Sequence, residues 1–552
     1  MGSSKFFLRI FQLKQGAMMK NIKLLDCTLR DGGYVNDWLF GQNHLVSVLE
    51  RLVTANVDII EIGFLDQRRP FDINRSIMPS TASVQNIYGK VDKKNSLIVG
   101  MIDYGTCAIE NLQPCKDSYL DGIRVIFKKH IMHEAIDFCK QVKALGYKVF
   151  TQAVSITSYS DDELMELIDL VNELEPYAVS MVDTYGLLHK DNLMHYFTLM
   201  DKHLKTNIGL GYHSHNNFQL AYANCIEVLK TKTDRCIVVD GTLYGMGKSA
   251  GNAPIELLAM HLNEQYGKHY DMNQLLEAID GNIMKIYNKT PWGYNLFFYV
   301  AASNHCHPSY VKFLMDKNTL SIKSVNTILE RIEPEKKLLY DQKHIEALYL
   351  QYQKSECDDT KDREQLKARL KGKTLLVLGP GTTIRTEAQR VKDYYAAESP
   401  VVIAINYIPK VCPVDYVFLS NPRRYIRLIN DLKLEENARV KVIATSNVTN
   451  VEDTFSYTVN NEKLLDKEAK VIDYSFIMLL KLLRDMEPQQ IVCAGTDGYS
   501  QSGANYADED MEYWFTRREA DSLNAYVKDT LAVLREHMHI DFLTTTFYES
   551  RK

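Results

Sequence analysis

Two histidines one residue apart, His213 and His215 in the run GLGYHSHNN, are the most chemically suggestive pair in this sequence. On a strand, residues i and i+2 point the same way, so both imidazoles can converge on one point. Two neutral imidazoles and one carboxylate suit a divalent ion and leave coordination positions for water and substrate. Asp31, at the end of the apolar run that opens IKLLDCTLRDGG, is the natural third ligand. Asn252, in GMGKSAGNAPIELL, can ligate weakly, orient a bound water, or cap the helix that follows. Arg30 requires a partner if it is buried, and Glu61 in IIEIGFLDQ can supply one or be half of a purely structural pair. Asp183 and Thr184, in SMVDTYGLL, are expected close behind the ligands on the substrate side. Lys248 reads as a contact for an anionic or polyhydroxylated substrate, or else as a solvated rim residue.

These residues are far apart in sequence, so several strand ends must share one rim. Apolar strands are predicted at 22–31, 57–65, 97–103, 120–127, 148–156, 178–184, 208–215 and 237–243, with amphipathic helical runs such as DDELMELIDLVNELEP between them. Eight such units fit a (β/α)8 TIM barrel, whose chemistry sits at the C-terminal rim. An open doubly wound sheet is the rival fold, and it usually carries a glycine-rich loop after its first strand. The predicted organisation is an N-terminal extension at 1–20, the barrel at 21–265 and a helical extension at 266–355. A charged linker at 356–372 and a second, Rossmann-like α/β domain at 373–552 complete it.

The 552 residues imply two or three domains. A net charge of −5 gives no electrostatic reason to expect nucleic acid. Ten cysteines without CxxC spacing point to a reducing cytoplasm. No apolar run is long enough to span a bilayer. The apolar stretch in the first 20 residues reads as a segment ahead of a start at Met18 or Met19.

TLRDG, IEIGF with Glu61, DTYG, HSHNN and GMGKSAGNAPIE follow one another in an order that resembles the DRE-TIM metallolyase superfamily, from about residue 22 to 310. SAGNAPIE is most similar to the 4-hydroxy-2-oxovalerate aldolase branch. The resemblance implies metal ligation by Asp31, His213 and His215, with Asn252 nearby. It implies that Arg30 stabilises an enolate oxygen and that Glu61 completes the signature trio. The expected reaction makes or breaks a C–C bond of a 2-oxo acid, with an aldehyde as second partner; the alternatives are a Claisen-type acyl-CoA condensing enzyme or lyase of the same superfamily, and a non-catalytic scaffold. The expected cofactor is one divalent metal, manganese first and magnesium, cobalt or zinc as alternatives, in a homo-oligomer. TPWGYNLFFYV resembles the aldolase segment in which a tyrosine lines the pocket, making Tyr294 the candidate and Tyr299 the weaker one. The sequence departs from the aldolases at Tyr34, where a catalytic histidine is expected. A phenol of ordinary pKa near 10 is a poor base at neutrality.

In the C-terminal domain, TLLVLGPGTTIRTEAQRV reads as strand, Gly-Pro-Gly turn and helix, an arrangement that favours phosphate. The domain faintly resembles the Rossmann-like domain of a bacterial sialyltransferase family. That resemblance implies a nucleotide or nucleotide sugar beside Gly379, Gly381, Asn406, Asn421 and Asp497. The plainer reading makes them ordinary strand-end turns.

Overall fold

A computed structural model describes residues 21–317, 320–353, 357–448, 454–466, 469, 471–513 and 516–549. The expected N-terminal extension lies outside the described residues. The chain divides into two compact units, Met1–Pro308 and Ser309–Lys552.

The first unit is a TIM barrel. Its eight parallel strands are Ile22–Asp26, Ile59–Leu65, Leu97–Asp103, Gly122–Phe127, Lys148–Ala153, Ala178–Asp183, Gly209–Ser214 and Ile237–Gly241. Each pairs with the next, and the first pairs with both the second and the eighth, which closes the sheet. Runs such as IIEIGFL are buried throughout, because one face meets the helices and the other the barrel interior. The helices supply the complementary stripe: Gln42–Thr54 buries Leu45, Val48, Leu49 and Leu52 at helical spacing. Helix Asp161–Leu174 starts at a capping box between Ser160 and Glu163.

Inside the barrel, Leu25, Ile59, Val99, Phe150, Ala178 and Val238 pack together as an apolar floor. Two residues beyond Ile59, Phe150 and Val238 stand Glu61, Gln152 and Asp240, so the same strands present a polar layer toward the C-terminal rim. This order, apolar floor below and charge above, positions the site.

The second unit holds seven parallel strands, Thr374–Leu378, Val401–Ile405, Tyr416–Leu419, Lys441–Thr445, Tyr457–Val459, Gln490–Ala494 and Ile540–Phe542. Their spatial order is 5-4-3-2-1-6-7, a doubly wound pattern that reverses between the first and sixth strands. The helical stretch expected at 266–355 is divided between the units. Leu275 and Ala278 of helix Met272–Ala278 join the barrel's core, while helix Ile322–Glu330 lies in the second unit. The stretch expected as a linker, 356–372, carries helix Thr360–Leu370. Its Leu366 and Leu370, four apart, are buried in the core of the second sheet, and its charges occupy the remaining faces.

Candidate active site

The first strand delivers Asp31 and the seventh delivers both histidines. Asp31 Oδ2 lies 3.6 Å from His213 Nε2 and 3.9 Å from His215 Nε2, and all three side chains are buried. Each imidazole is oriented by its other nitrogen: His213 Nδ1 is 3.0 Å from Asp240 Oδ2, and His215 Nδ1 is 3.3 Å from the Gly251 carbonyl. Both Nε2 atoms therefore face Asp31. Asn252 Nδ2 donates to Asp31 Oδ1 at 2.8 Å, which leaves Asn252 Oδ1 buried and without a partner. That orphaned oxygen, beside two imidazoles and a carboxylate, fits a divalent ion. Gly247 permits the approach: a Cβ there would fall 2.0 Å from Asn252 Nδ2 and 2.7 Å from Asp31 Oδ1.

Arg30 is held on two sides. Its Nε donates to Glu61 Oε2 at 2.7 Å and its Nη1 to Asp31 Oδ2. Its Nη2 makes no hydrogen bond to another described residue. Gly33, in the glycine pair after Asp31, is required by close packing: a Cβ would meet the Trp38 ring at 1.9 Å, and Trp38 Nε1 donates to the Arg30 carbonyl at 2.7 Å.

Sequence reasoning missed the brace behind this layer. Arg124, fully buried on the fourth strand, reaches Glu61 Oε2 at 3.1 Å, Gln152 Oε1 at 2.9 Å and Asp240 Oδ2. Arg30 and Arg124 thus face Asp31, Glu61 and Asp240, so with neutral imidazoles the network carries one net negative charge. A buried net charge is costly, and a cation at Asp31 would relieve it. Burial works against an ionised Asp31, but Arg30 and the imidazoles hold its carboxyl well below the usual range. Burial pulls His215 down to about 4. It also pulls His213 down, yet the bonds to Asp240 and Asp31 outweigh it and leave a net upward shift. Cys27 Sγ lies 3.9 Å from His213 Nδ1, which makes Cys27, His213 and Asp240 a second ligand-type cluster. Burial pushes that thiol well up and Arg124 already holds Asp240, so this side of His213 is a brace.

Around the mouth, Lys248 Nζ sits 5.5 Å from the Tyr34 ring centroid and 5.9 Å from that of Tyr185. Its ammonium has no ion pair or hydrogen bond among the described residues, while its backbone N–H donates to Asp31 Oδ1 at 3.0 Å. Tyr34 packs edge-on against Trp38, and burial together with the Asp31 charge pushes its hydroxyl up to about 12. The Asp183 carboxylate accepts from the N–H groups of Leu187 and Leu188 at 2.8 and 3.0 Å. Thr184 Oγ1 accepts from Ser155 N at 2.8 Å. Both shape loops at the rim. Tyr294 is 57% exposed and Tyr299 43%. Trp292, in the same segment, lies 3.3 Å from the position of a Cβ on Gly251, whose carbonyl faces His215. In the second unit, Gly379, Gly381, Asn406, Asn421 and Asp497 all line one cleft.

Residues 21–280 match the HMGL-like family model. The 4-hydroxy-2-oxovalerate aldolase 2 of Salinispora arenicola is 25% identical over 268 residues, covering 48% of this chain and 75% of its own length. The oxaloacetate decarboxylase of Mycobacterium tuberculosis is 23% identical over 291 residues, covering 50% of this chain and 82% of its own. The 2-isopropylmalate synthase of Sulfolobus acidocaldarius is 24% identical over 256 residues, covering 46% and 64%. The stretch that matches the HMGL-like model, residues 21–280, is the barrel that carries the Asp-His-His cluster.

Proposed function

We propose that the barrel is a divalent-metal-dependent aldolase that makes or cleaves a C–C bond of a 2-oxo acid through a pyruvate-type enolate. The observation that carries this reading is the convergence of Asp31 Oδ2, His213 Nε2 and His215 Nε2 beside a guanidinium fixed by two carboxylates. Asp31, His213 and His215 would hold the ion, with Asn252 Oδ1 adjacent. Manganese suits this donor set, as do cobalt and zinc, with magnesium as the harder alternative. When bound, the ion supplies Lewis-acid polarisation of the 2-oxo acid.

Arg30 acts through its own chemistry. Glu61 and Asp31 fix the guanidinium, so its Nη2 is a preorganised donor for the oxygen on which enolate charge grows. Tyr34 stays protonated at neutral pH, so it serves as a hydrogen-bond donor or pocket wall and leaves the role of base to another group. Lys248 offers an uncompensated charge to an anionic or hydroxylated end of the aldehyde. No disulfide joins the described cysteines, which supports a reducing, cytoplasmic setting.

A Claisen-type condensation of an acyl-CoA is the second reading, favoured by the isopropylmalate synthase relative. One experiment separates them. Full-length protein is loaded with manganese and offered a panel of 4-hydroxy-2-oxo acids, with pyruvate release followed by coupled reduction. Acetyl-CoA and 2-oxo acids are offered in parallel, with free thiol followed. Metal-dependent pyruvate release that is lost in His213→Ala is the expected result. Thiol release instead of pyruvate selects the condensing reading, and neither product from metal-loaded protein overturns both.

A further inference from the structure

The second unit holds a cleft that the barrel reaction does not use. It lies at the C-terminal ends of that unit's first, second, third and sixth strands, where the strand order reverses. This is where open parallel sheets bind ligands. Its empty space is about 880 Å³ with the open solvent at its mouth included.

The glycine turn forms one wall, but its donors are taken. The Asp497 carboxylate accepts from Thr383 N at 2.8 Å, from Thr382 Oγ1 at 3.0 Å and from Thr383 Oγ1. A Cβ on Gly381 would fall 2.4 Å from that carboxylate. The chain's own anion therefore occupies the place where the glycine turn would seat a phosphate, and like charges there repel.

The opposite wall is phenolic. Tyr474, Tyr499, Tyr506 and Tyr548 all line the cleft. The Tyr499 and Tyr506 hydroxyls are 3.3 Å apart, and those of Tyr474 and Tyr548 are 3.1 Å apart. The Tyr474 and Tyr499 rings meet edge-on with centroids 6.2 Å apart, which brings the two pairs together. Each pair carries two protons for one link, so one proton in each pair remains to donate outward. The direction of each link can reverse, so the same wall answers a ligand hydroxyl as donor or acceptor. Burial keeps all four phenols neutral. Thr496, also lining the cleft and 8% exposed, has a buried hydroxyl without a hydrogen-bond partner.

We propose that this cleft binds an uncharged, polyhydroxylated ring of the glycosyl type, held by the paired tyrosine hydroxyls and Thr496, with no phosphate at the glycine turn. The inference stands independently of the barrel's reaction. It is tested by saturation-transfer NMR on the full-length protein with glucose, galactose, mannose and N-acetylglucosamine, and with uridine 5′-diphosphate for comparison. Transfer to the ring protons of at least one sugar is expected. The signal should weaken about five-fold, the effect of losing one hydrogen bond, in Tyr506→Phe or Thr496→Val. It should be unchanged in Arg30→Ala, which keeps the cleft and alters the barrel. The proposal is overturned by no transfer to any of the four sugars, or by transfer that both cleft variants leave intact. Binding of uridine 5′-diphosphate in preference to every sugar, weakened by the same variants, overturns it equally.

Discussion

Arg30 illustrates how little freedom the site leaves a charged side chain. Its guanidinium is buried between Glu61 and Asp31, and Phe64 covers it at 5.8 Å from ring centroid to guanidinium carbon. Burial works against the charge, yet the two carboxylates raise its pKa well above the ordinary value, so it is a permanent cation. Its proposed part is to stabilise an oxyanion and not to ligate. Arg30→Ala should therefore lower turnover by ~100-fold or more, the ~3 kcal/mol expected for one preorganised donor. Metal content by elemental analysis should stay near wild type. Arg30→Lys should recover part of the loss, because a point charge replaces a planar fork. Wild-type turnover in the alanine variant, or loss of metal together with activity, would rule out the role. Tyr34 makes the complementary case. With its hydroxyl near 12, Tyr34→Phe should leave the pH–rate profile between about pH 6 and 9 unshifted, since no group titrating there is removed. An altered limb in that range would return the phenol to acid–base duty.

At the scale of elements, the strand ends set the chemistry and the loops close it. Asp31, His213 and His215 were legible in sequence because each follows an apolar run near the rim, and Glu61 because its charge interrupts the apolar strand IIEIGFL. Arg124 and Asp240 were not. They stand inside GIRVIF and IVVDG, among residues that face the core, and they meet across 116 residues of chain. No local spacing announces such a pair. Tyr294 was expected at the pocket from a motif, but one segment carries Trp292, Tyr294 and Tyr299, and sequence does not say which ring turns inward. The charged stretch near 360 misled for a related reason: two leucines four apart suffice to dock a helix. Asp359, ahead of that helix, shows the cost of the docking. Its carboxylate is fully buried and accepts from Lys463, Arg363 and the Asn460 N–H. Burial pushes its pKa up, but these partners pull it down to about 2. A depressed acid stabilises the fold above its unfolded pKa, near 4, and the gain is lost as pH falls through about 2. Asp359→Asn should therefore cost on the order of 2 kcal/mol at neutral pH. In urea titrations that gap should narrow steadily between about pH 4 and pH 2. A gap that persists unchanged to the acid end would mean that Asp359 contributes by shape and not by charge.

The molecule as a whole is two cores on one chain, and its linkage to metal should follow that division. The barrel's buried cluster runs from Ile22 to Ile283, and the second sheet's runs from Leu366 to Tyr548. The apolar positions of both were readable from strand and helix periodicity. The second cleft was readable only in part: the glycine turn drew attention to phosphate, and no spacing announced the Asp497 carboxylate that Thr382 and Thr383 hold beside it. An ion at Asp31, His213 and His215 joins the first and seventh strands, which separate when the barrel unfolds. It therefore binds the folded barrel and not the open chain, and stabilises by mass action about 2.7 kcal/mol at a hundred times its dissociation constant. For a barrel of this size that is a shift of about 5 °C in its unfolding temperature. Scanning calorimetry of the full-length protein should resolve two transitions, since each unit has its own core. Manganese should raise one by about this amount and leave the other in place. His213→Ala should abolish the shift without merging the transitions. A single transition that moves as a unit with metal would show that the two cores unfold together, and a shift that survives in His213→Ala would move the ion away from the rim.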